Sequence, residues 1–161
     1  MNMADVYVMI GIPGSGKSYF CTHHIKDNID RVSRDAIRFS LLKDDEEYFS
    51  HESEVYKIMW DQINNILKQG KDVFVDQTSI TKHSRKYLMS HLEGYDHINA
   101  VWIDTPIEKC LEQNKTRTSR AKVPDKVIHD MFSRFQEPTL DEGFYRIFKY
   151  KDGKMTMKEA K

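Results

Sequence analysis

An α/β fold, a parallel β-sheet with helices on both faces and a lid segment, is the architecture this sequence predicts. Three observations predict it. Short apolar, β-branched runs alternate with segments of helical periodicity along the chain. The first run, Val6-Tyr7-Val8-Met9-Ile10, leads directly into a glycine-rich octapeptide, Gly11-Ile12-Pro13-Gly14-Ser15-Gly16-Lys17-Ser18. A length of 161 residues suits one domain with a substantial core and is too short for two.

The elements follow in order. Val6–Ile10 is the first buried strand, and Gly16–Asn28 is the helix it feeds. Arg31-Val32-Ser33 reads as a short second strand, followed by a helix from Asp35 to Leu42. Asp44–Lys68 is a long helical stretch carrying apolar residues at Tyr48, Val55, Ile58, Met59, Ile63, Ile66 and Leu67, with Gly70 as its C-terminal cap. Val73-Phe74-Val75 is the next strand and Thr81–His91 the next helix. Ile98–Ile103 is a further strand, with a helix over Ile107–Asn114 after Pro106. Lys115–Lys122 is polar and aperiodic. Pro124 at the first helical position starts a helix that runs to Phe135. Phe144–Tyr150 closes the domain, residues 1–150, as a final strand. Residues 151–161 are a polar tail expected to fray.

Composition narrows the partners. Lys+Arg and Asp+Glu are both 25, a formal net charge of zero. A surface that wraps nucleic acid normally needs a basic excess, whereas a pocket gripping one or two phosphates does not. The two cysteines, Cys21 and Cys110, have no metal spacing and read as reduced core thiols. The seven histidines lack a ligand pattern. No apolar run approaches membrane-spanning length and no leader is evident at Met1–Asp5, so a cytoplasmic protein without a membrane partner is expected.

The octapeptide fits G-x-x-x-x-G-K-S, a phosphate-binding P-loop. Its glycines Gly11, Gly14 and Gly16, with Pro13 and Ser15, let backbone N–H groups converge into an anion nest at a helix N-terminus. Lys17 then reaches the β- and γ-phosphates of a nucleoside triphosphate, Ser18 offers its hydroxyl to Mg²⁺, and Tyr19 opens the following helix beside the bound nucleotide.

Three polar clusters fall at strand ends, where open α/β sheets bind ligands. The first is Ser33-Arg34-Asp35 with Arg38 one turn on. Asp35 suits a base that takes a proton from an attacking hydroxyl, and Arg38 and Arg34 suit an acceptor phosphate. The same Asp35 serves equally as a helix cap paired with Arg38. The second is Asp76-Gln77-Thr78. An acid after a buried strand supports Mg²⁺ and its waters, or simply caps a turn. Arg85, on the next helix, either faces this cluster or is solvated. The third is Asn114-Lys115-Thr116-Arg117 with Arg120. Arg117 stands where a guanine reader would carry aspartate, which favours a lid clamping phosphates over guanine recognition, with a solvated basic loop as the alternative. The acids between Lys43 and Glu54 read as a solvated helix start. The aromatics Phe132, Phe135, Phe144, Tyr145 and Phe148 read as core.

With these pieces assembled, the chain resembles the polynucleotide 5′-hydroxyl kinase family of P-loop kinases, from about Val6 to Tyr150. The matching residues are Gly11–Ser18, Ser33-Arg-Asp35-x-x-Arg38, Val73-Phe-Val-Asp76-x-Thr78, Asn114-x-x-Arg117, Val123-Pro124 and Phe135-Gln-Glu-Pro138 through Glu142-Gly-Phe144. The Arg-Asp-x-x-Arg element after the second strand is the discriminating one. The resemblance implies a P-loop NTPase fold and ATP with Mg²⁺, held by Gly11, Pro13, Gly14, Ser15, Gly16, Lys17, Ser18, Tyr19, Arg117 and Arg120. It implies Asp35 as general base on the 5′-hydroxyl of a DNA or RNA end, with Lys17 and Arg117 on the transferring phosphate. Arg34, Arg38, Asp76 and Thr78 would lie on the acceptor side, and Ser18 with Asp76 at the metal. A phosphatase or ligase would then be a separate partner. Two other readings stay open: a kinase of a small hydroxyl acceptor (nucleoside, nucleotide or sugar), and a nucleotide-binding module without transfer chemistry.

Overall fold

The computed structural model describes residues 4–23, 29–118 and 122–161. Among these residues the strands are β1 (Asp5–Ile10), β2 (Asp30–Ser33), β3 (Val73–Asp76), β4 (His97–Ile103), β5 (Arg146–Lys151) and β6 (Lys154–Glu159). The helices are α1 (Lys17–His23), α2 (Arg34–Leu41), α3 (Glu52–Lys68), α4 (Lys82–Met89), α5 (Ile107–Lys115) and α6 (Asp125–Arg134). One sheet runs β2-β3-β1-β4-β5-β6, parallel from β2 to β5 and antiparallel at β6.

Alternation along the central strands divides the core. Val6, Val8 and Ile10 of β1 pack with Val73, Val75, Ala100 and the α3 stripe Val55, Met59, Ile63 and Leu67. Met9, Phe74 and Val101 point to the opposite face and meet Phe20 and Cys21 of α1. Ile12, Ile80, Cys110 and Ile128 form a third cluster that seats α5 and α6 beside the glycine-rich loop. Both faces of the central strands are buried, so those strands read as continuous apolar runs.

Helix ends explain the boundaries. Ser33 caps α2, its Oγ accepting from Ala36 N at 3.2 Å. Thr81 and Ser84 form a reciprocal capping box on α4. Gly70, at φ 74°, closes α3 with its N–H on Leu67 O at 2.9 Å. Pro124 is the cap of α6, one position outside its expected place.

Two expectations need correcting. The helix expected from Asp44 begins at Glu52. Residues before it turn locally: Lys43 N donates to the Glu46 carboxylate at 2.8 Å, and Ser50 Oγ donates to Glu47 O at 2.8 Å. Such side-chain bonds satisfy the backbone without a helix. The polar tail, expected to fray, forms β6, which pairs with β5 from Arg146↔Glu159 to Lys151↔Lys154. The turn at Asp152-Gly153 has φ of 52° and 73°, the conformation a tight hairpin requires. The helix expected over Gly16–Asn28 is described from Lys17 to His23, and residues 24–28 lie outside the described residues.

Candidate active site

The glycine-rich loop sits between the end of β1 and the start of α1, and its glycines answer to particular neighbours. Gly14 has φ of +84°, and a Cβ there would lie 2.4 Å from the Cys110 carbonyl oxygen of α5. Gly16 has φ of +103° and faces open space. Only glycine takes both conformations without strain. Gly11 N donates to Thr78 O at 3.0 Å, and Thr105 Oγ1 donates to Ser15 O at 2.8 Å, fixing the loop on two sides. Ser15 Oγ is buried without a hydrogen-bond partner.

Lys17 is buried and its Nζ donates to Ile12 O at 3.2 Å. Burial pushes the ammonium below its ordinary value; Asp76 opposes this and Arg117 adds to it. Ser18 Oγ donates to Asp76 Oδ2 at 2.9 Å. Arg31 joins that pair, with Nη2 at 2.7 Å from Asp76 Oδ2 and 3.1 Å from Ser18 Oγ. The donor set fits the groups a triphosphate kinase needs. A hydroxyl beside a buried carboxylate is a donor pair of the chemistry that Mg²⁺ takes, and an orphaned hydroxyl, an open glycine turn and a buried lysine are of the chemistry that phosphates take.

The second part of the site grows from the start of α2. Asp35 is exposed and accepts from Arg38 Nη1 at 2.5 Å. Arg38 is 3% exposed. Its Nε donates to Glu52 Oε2 at 2.9 Å, its Nη2 donates to Glu52 Oε1, and its Nη1 also reaches the Tyr48 hydroxyl at 3.1 Å. Arg34 donates to the same Glu52 at 2.8 Å and lies 4.3 Å over the Tyr56 ring. Burial alone would raise the Glu52 carboxyl, but the Arg38 bond and the two guanidinium charges hold it below its ordinary value.

A cleft of about 490 Å³ joins the two parts. Pro13, Lys17 and Ser18 line it together with Arg34, Asp35, Arg38, Asp76 and Thr78. Arg117 lines it from the segment after α5. Buried Asn114 sets that segment: its Nδ2 donates to Val123 O at 2.6 Å and its Oδ1 accepts from Val123 N at 3.1 Å. Both ends of the span 115–122 are thereby held together, with Arg117 inside it.

Most residues picked from the sequence therefore meet in one cleft. Gly11, Gly14, Ser15, Gly16 and Tyr19 are not among its lining residues, and the exposed Tyr19 ring stacks on His23 at 3.7 Å. Arg120 lies outside the described residues. Arg85 is neither solvated nor in the cleft. It is fully buried, bonded to Glu142 at 2.7 and 3.1 Å and to Ser79 O at 2.8 Å, because the inward face of α4 needs a partner for its charge. Burial raises the Cys21 thiol to about 12 and the Cys110 thiol to about 11, so neither is a thiolate nucleophile at neutral pH.

Sequence reasoning missed Glu52, Arg31, Tyr48 and Phe49. Glu52 had a legible signal: it precedes Val55, Met59 and Ile63 by three, seven and eleven positions, on the buried stripe of α3. Arg31 alternates in β2 with buried Val32 and carries no such mark.

Comparison with known proteins extends this description. The chain is 25% identical over 156 residues to Transcription factor bHLH140 of Arabidopsis thaliana, covering 91% of this chain and 16% of that protein. It is 26% identical over 148 residues to a bifunctional polynucleotide phosphatase/kinase of Schizosaccharomyces pombe, covering 89% of this chain and 32% of that one. The chain thus spans a third or less of the length of these relatives. Among solved structures, a chain of the Pnkp1/Rnl/Hen1 RNA repair complex superposes with a TM-score of 0.71 at 23% identity, covering 83% of this chain and 44% of that chain. A sugar kinase from Janibacter sp. HTCC2649 superposes with a TM-score of 0.63 at 14% identity, covering 91% and 85%. These likenesses establish a P-loop kinase fold. No helix among the described residues is long and apolar enough to cross a membrane. The model of the AAA_33 family, described as an AAA domain, matches residues 6–138, and this chain belongs to that family.

Proposed function

We propose that this protein is an ATP- and Mg²⁺-dependent kinase that phosphorylates the 5′-hydroxyl of a DNA or RNA end. The observation that carries the reading is that Lys17, Ser18, Asp35, Arg38 and Arg117 line one cleft. A relative named as a polynucleotide phosphatase/kinase supports the choice of acceptor.

In this reading the backbone of residues 11–18 and Lys17 hold the donor phosphates. Ser18 and Asp76 would hold Mg²⁺, which would supply positive charge to offset that of the phosphates. Asp35 takes the proton of the acceptor hydroxyl as its oxygen bonds to the γ-phosphorus. The bridging β–γ P–O bond breaks and ADP leaves. Arg38 orients the acceptor through its next phosphate, exchanging an internal contact of Nη1 for that ligand while Glu52 keeps its position. Arg117 stabilises charge on the transferring group. A separate phosphatase or ligase would complete end repair.

The test is transfer of labelled γ-phosphate from ATP to a 5′-hydroxyl oligonucleotide, 3′-mononucleotides, nucleosides and gluconate, offered in parallel. Label on the oligonucleotide is the expected result. Label on the small acceptors alone would favour the second reading, a small-molecule kinase, which the zero net charge supports. ATP binding without transfer would oppose both.

A further inference from the structure

The cleft has an aromatic wall: the Tyr48 hydroxyl reaches Asp35 Oδ1 at 3.4 Å, but the ring faces serve neither the phosphate grip nor Asp35. Phe39, Tyr48 and Phe49 succeed one another edge to face, with centroids 6.0 and 4.7 Å apart. Phe49 lines the cleft yet remains 65% exposed. A large apolar ring held open beside a catalytic carboxylate leaves hydrophobic surface available to a ligand. The Arg38 guanidinium lies 4.6 Å from the Tyr48 centroid and 5.3 Å from that of Phe49, while its Nη1 touches Asp35. One guanidinium therefore separates the candidate base from the exposed ring. Val127 of α6 adds an apolar side chain to the lining.

A planar group entering this slot gains stacking and burial without needing charge. That matters in a chain of zero net charge, which lacks the basic excess that draws nucleic acid by its backbone alone. Every nucleobase has a π-face, so such a platform accepts any terminal base. A sugar offers no aromatic ring of this kind.

We propose that Phe49, backed by Tyr48, is the surface on which the base of the acceptor's 5′-terminal nucleotide stacks, making the site selective for a nucleic-acid end that bears a base. This rests on the reading of Asp35 and Arg38 as the acceptor side of a 5′-hydroxyl kinase. The stack sets the terminal sugar toward Asp35 and leaves its neighbouring phosphate near Arg38.

Two oligonucleotides test this, both with a free 5′-hydroxyl, one carrying an ordinary 5′ nucleotide and one an abasic 5′ residue. Wild type, Phe49→Ala and Phe49→Trp are compared at saturating ATP. Wild type is expected to favour the base-bearing end about tenfold in kcat/KM, chiefly through KM. Phe49→Ala brings the ratio of the two acceptors close to one, and Phe49→Trp restores it. The KM for ATP stays the same across the three proteins. A ratio that persists in Phe49→Ala, or is already near one in the wild type, overturns the stacking while the kinase reading stands. No wild-type transfer to either oligonucleotide overturns the kinase reading itself, and the inference with it.

Discussion

The guanidinium of Arg38 is gripped along one edge by the carboxylate of Glu52, with Nε on Oε2 at 2.9 Å and Nη2 on Oε1. The opposite nitrogen, Nη1, is thereby turned toward Asp35 and the cleft. A bidentate guanidinium–carboxylate pair fixes direction as well as charge. Glu52 thus fixes the direction in which Arg38 presents Nη1.

Glu52→Gln keeps the size of the side chain and removes its charge. The expected result is a loss of roughly 10- to 100-fold in kcat/KM for the acceptor with the KM for ATP nearly unaltered. The same substitution reports on pH. The Glu52 pKa is depressed in the folded protein, so its stabilisation is present above the ordinary value of 4.5 and is lost as pH falls from there through the lower folded value. Acid unfolding curves should show a shallower limb below that pH in Glu52→Gln. Identical curves would remove the pair from the acid response.

Asp35→Asn tests the proposed base. The side chain is exposed, so the fold should tolerate the change. Transfer should fall by about 10²- to 10⁴-fold, while ATP affinity, read by displacement of a fluorescent nucleotide, stays within error. Undiminished transfer would leave Asp35 only a first-turn acid paired with Arg38.

Arg117→Ala addresses the segment after α5. A donor aimed at charge that develops during transfer acts on kcat more than on binding. A drop of about 100-fold in kcat with a small change in KM for ATP is expected. An equal loss in nucleotide affinity alone would place Arg117 on the ground-state phosphates.

Arg31 sits against the two oxygens assigned to Mg²⁺, 2.7 Å from Asp76 Oδ2 and 3.1 Å from Ser18 Oγ. If Ser18 and Asp76 hold Mg²⁺ as proposed, Arg31 would compete as a cation for the same pair. Arg31→Ala should lower the Mg²⁺ concentration at half-maximal ATP binding, measured by calorimetry across a Mg²⁺ series, and chelation should abolish transfer in both proteins. A higher Mg²⁺ requirement in the variant would show that Arg31 supports the phosphates instead.

Arg85 tests stability apart from chemistry. Its fully buried side chain meets Glu142 and the Ser79 carbonyl, and Glu142 in turn accepts from Thr139 N at 2.8 Å. Arg85→Ala leaves the mostly buried Glu142 carboxylate without its guanidinium partner, at a cost of about 3–5 kcal/mol. A fall of roughly 10 °C in Tm is expected. Turnover per folded molecule should remain near that of the wild type.

Local chemistry was enough to read much of this molecule. The P-loop, the parallel strands and the cap at Gly70 follow from neighbours a few residues away, because glycine conformation and side-chain alternation are short-range physics, whereas the cap of α2 falls on Ser33 and not on Asp35. The start of α3 was not legible in the same way. Helical periodicity runs on through Tyr48, and only the local bonds of Glu46 and Glu47 divert the backbone there.

By itself the sequence determined the α/β class, the phosphate loop and the candidate base at Asp35, since each rests on contiguous residues whose conformations are set locally. Tertiary structure alone decided the rest. It brought Glu52 back to Arg38 across 14 positions, placed Arg31 on Asp76 across 45, buried Arg85 against Glu142 across 57, and paired the C-terminal segment with β5 as β6. A charged side chain carries no mark of whether it will face water or an opposite charge. That outcome depends on which distant element the core packs beside it, because burying a charge is affordable only where a partner arrives with it.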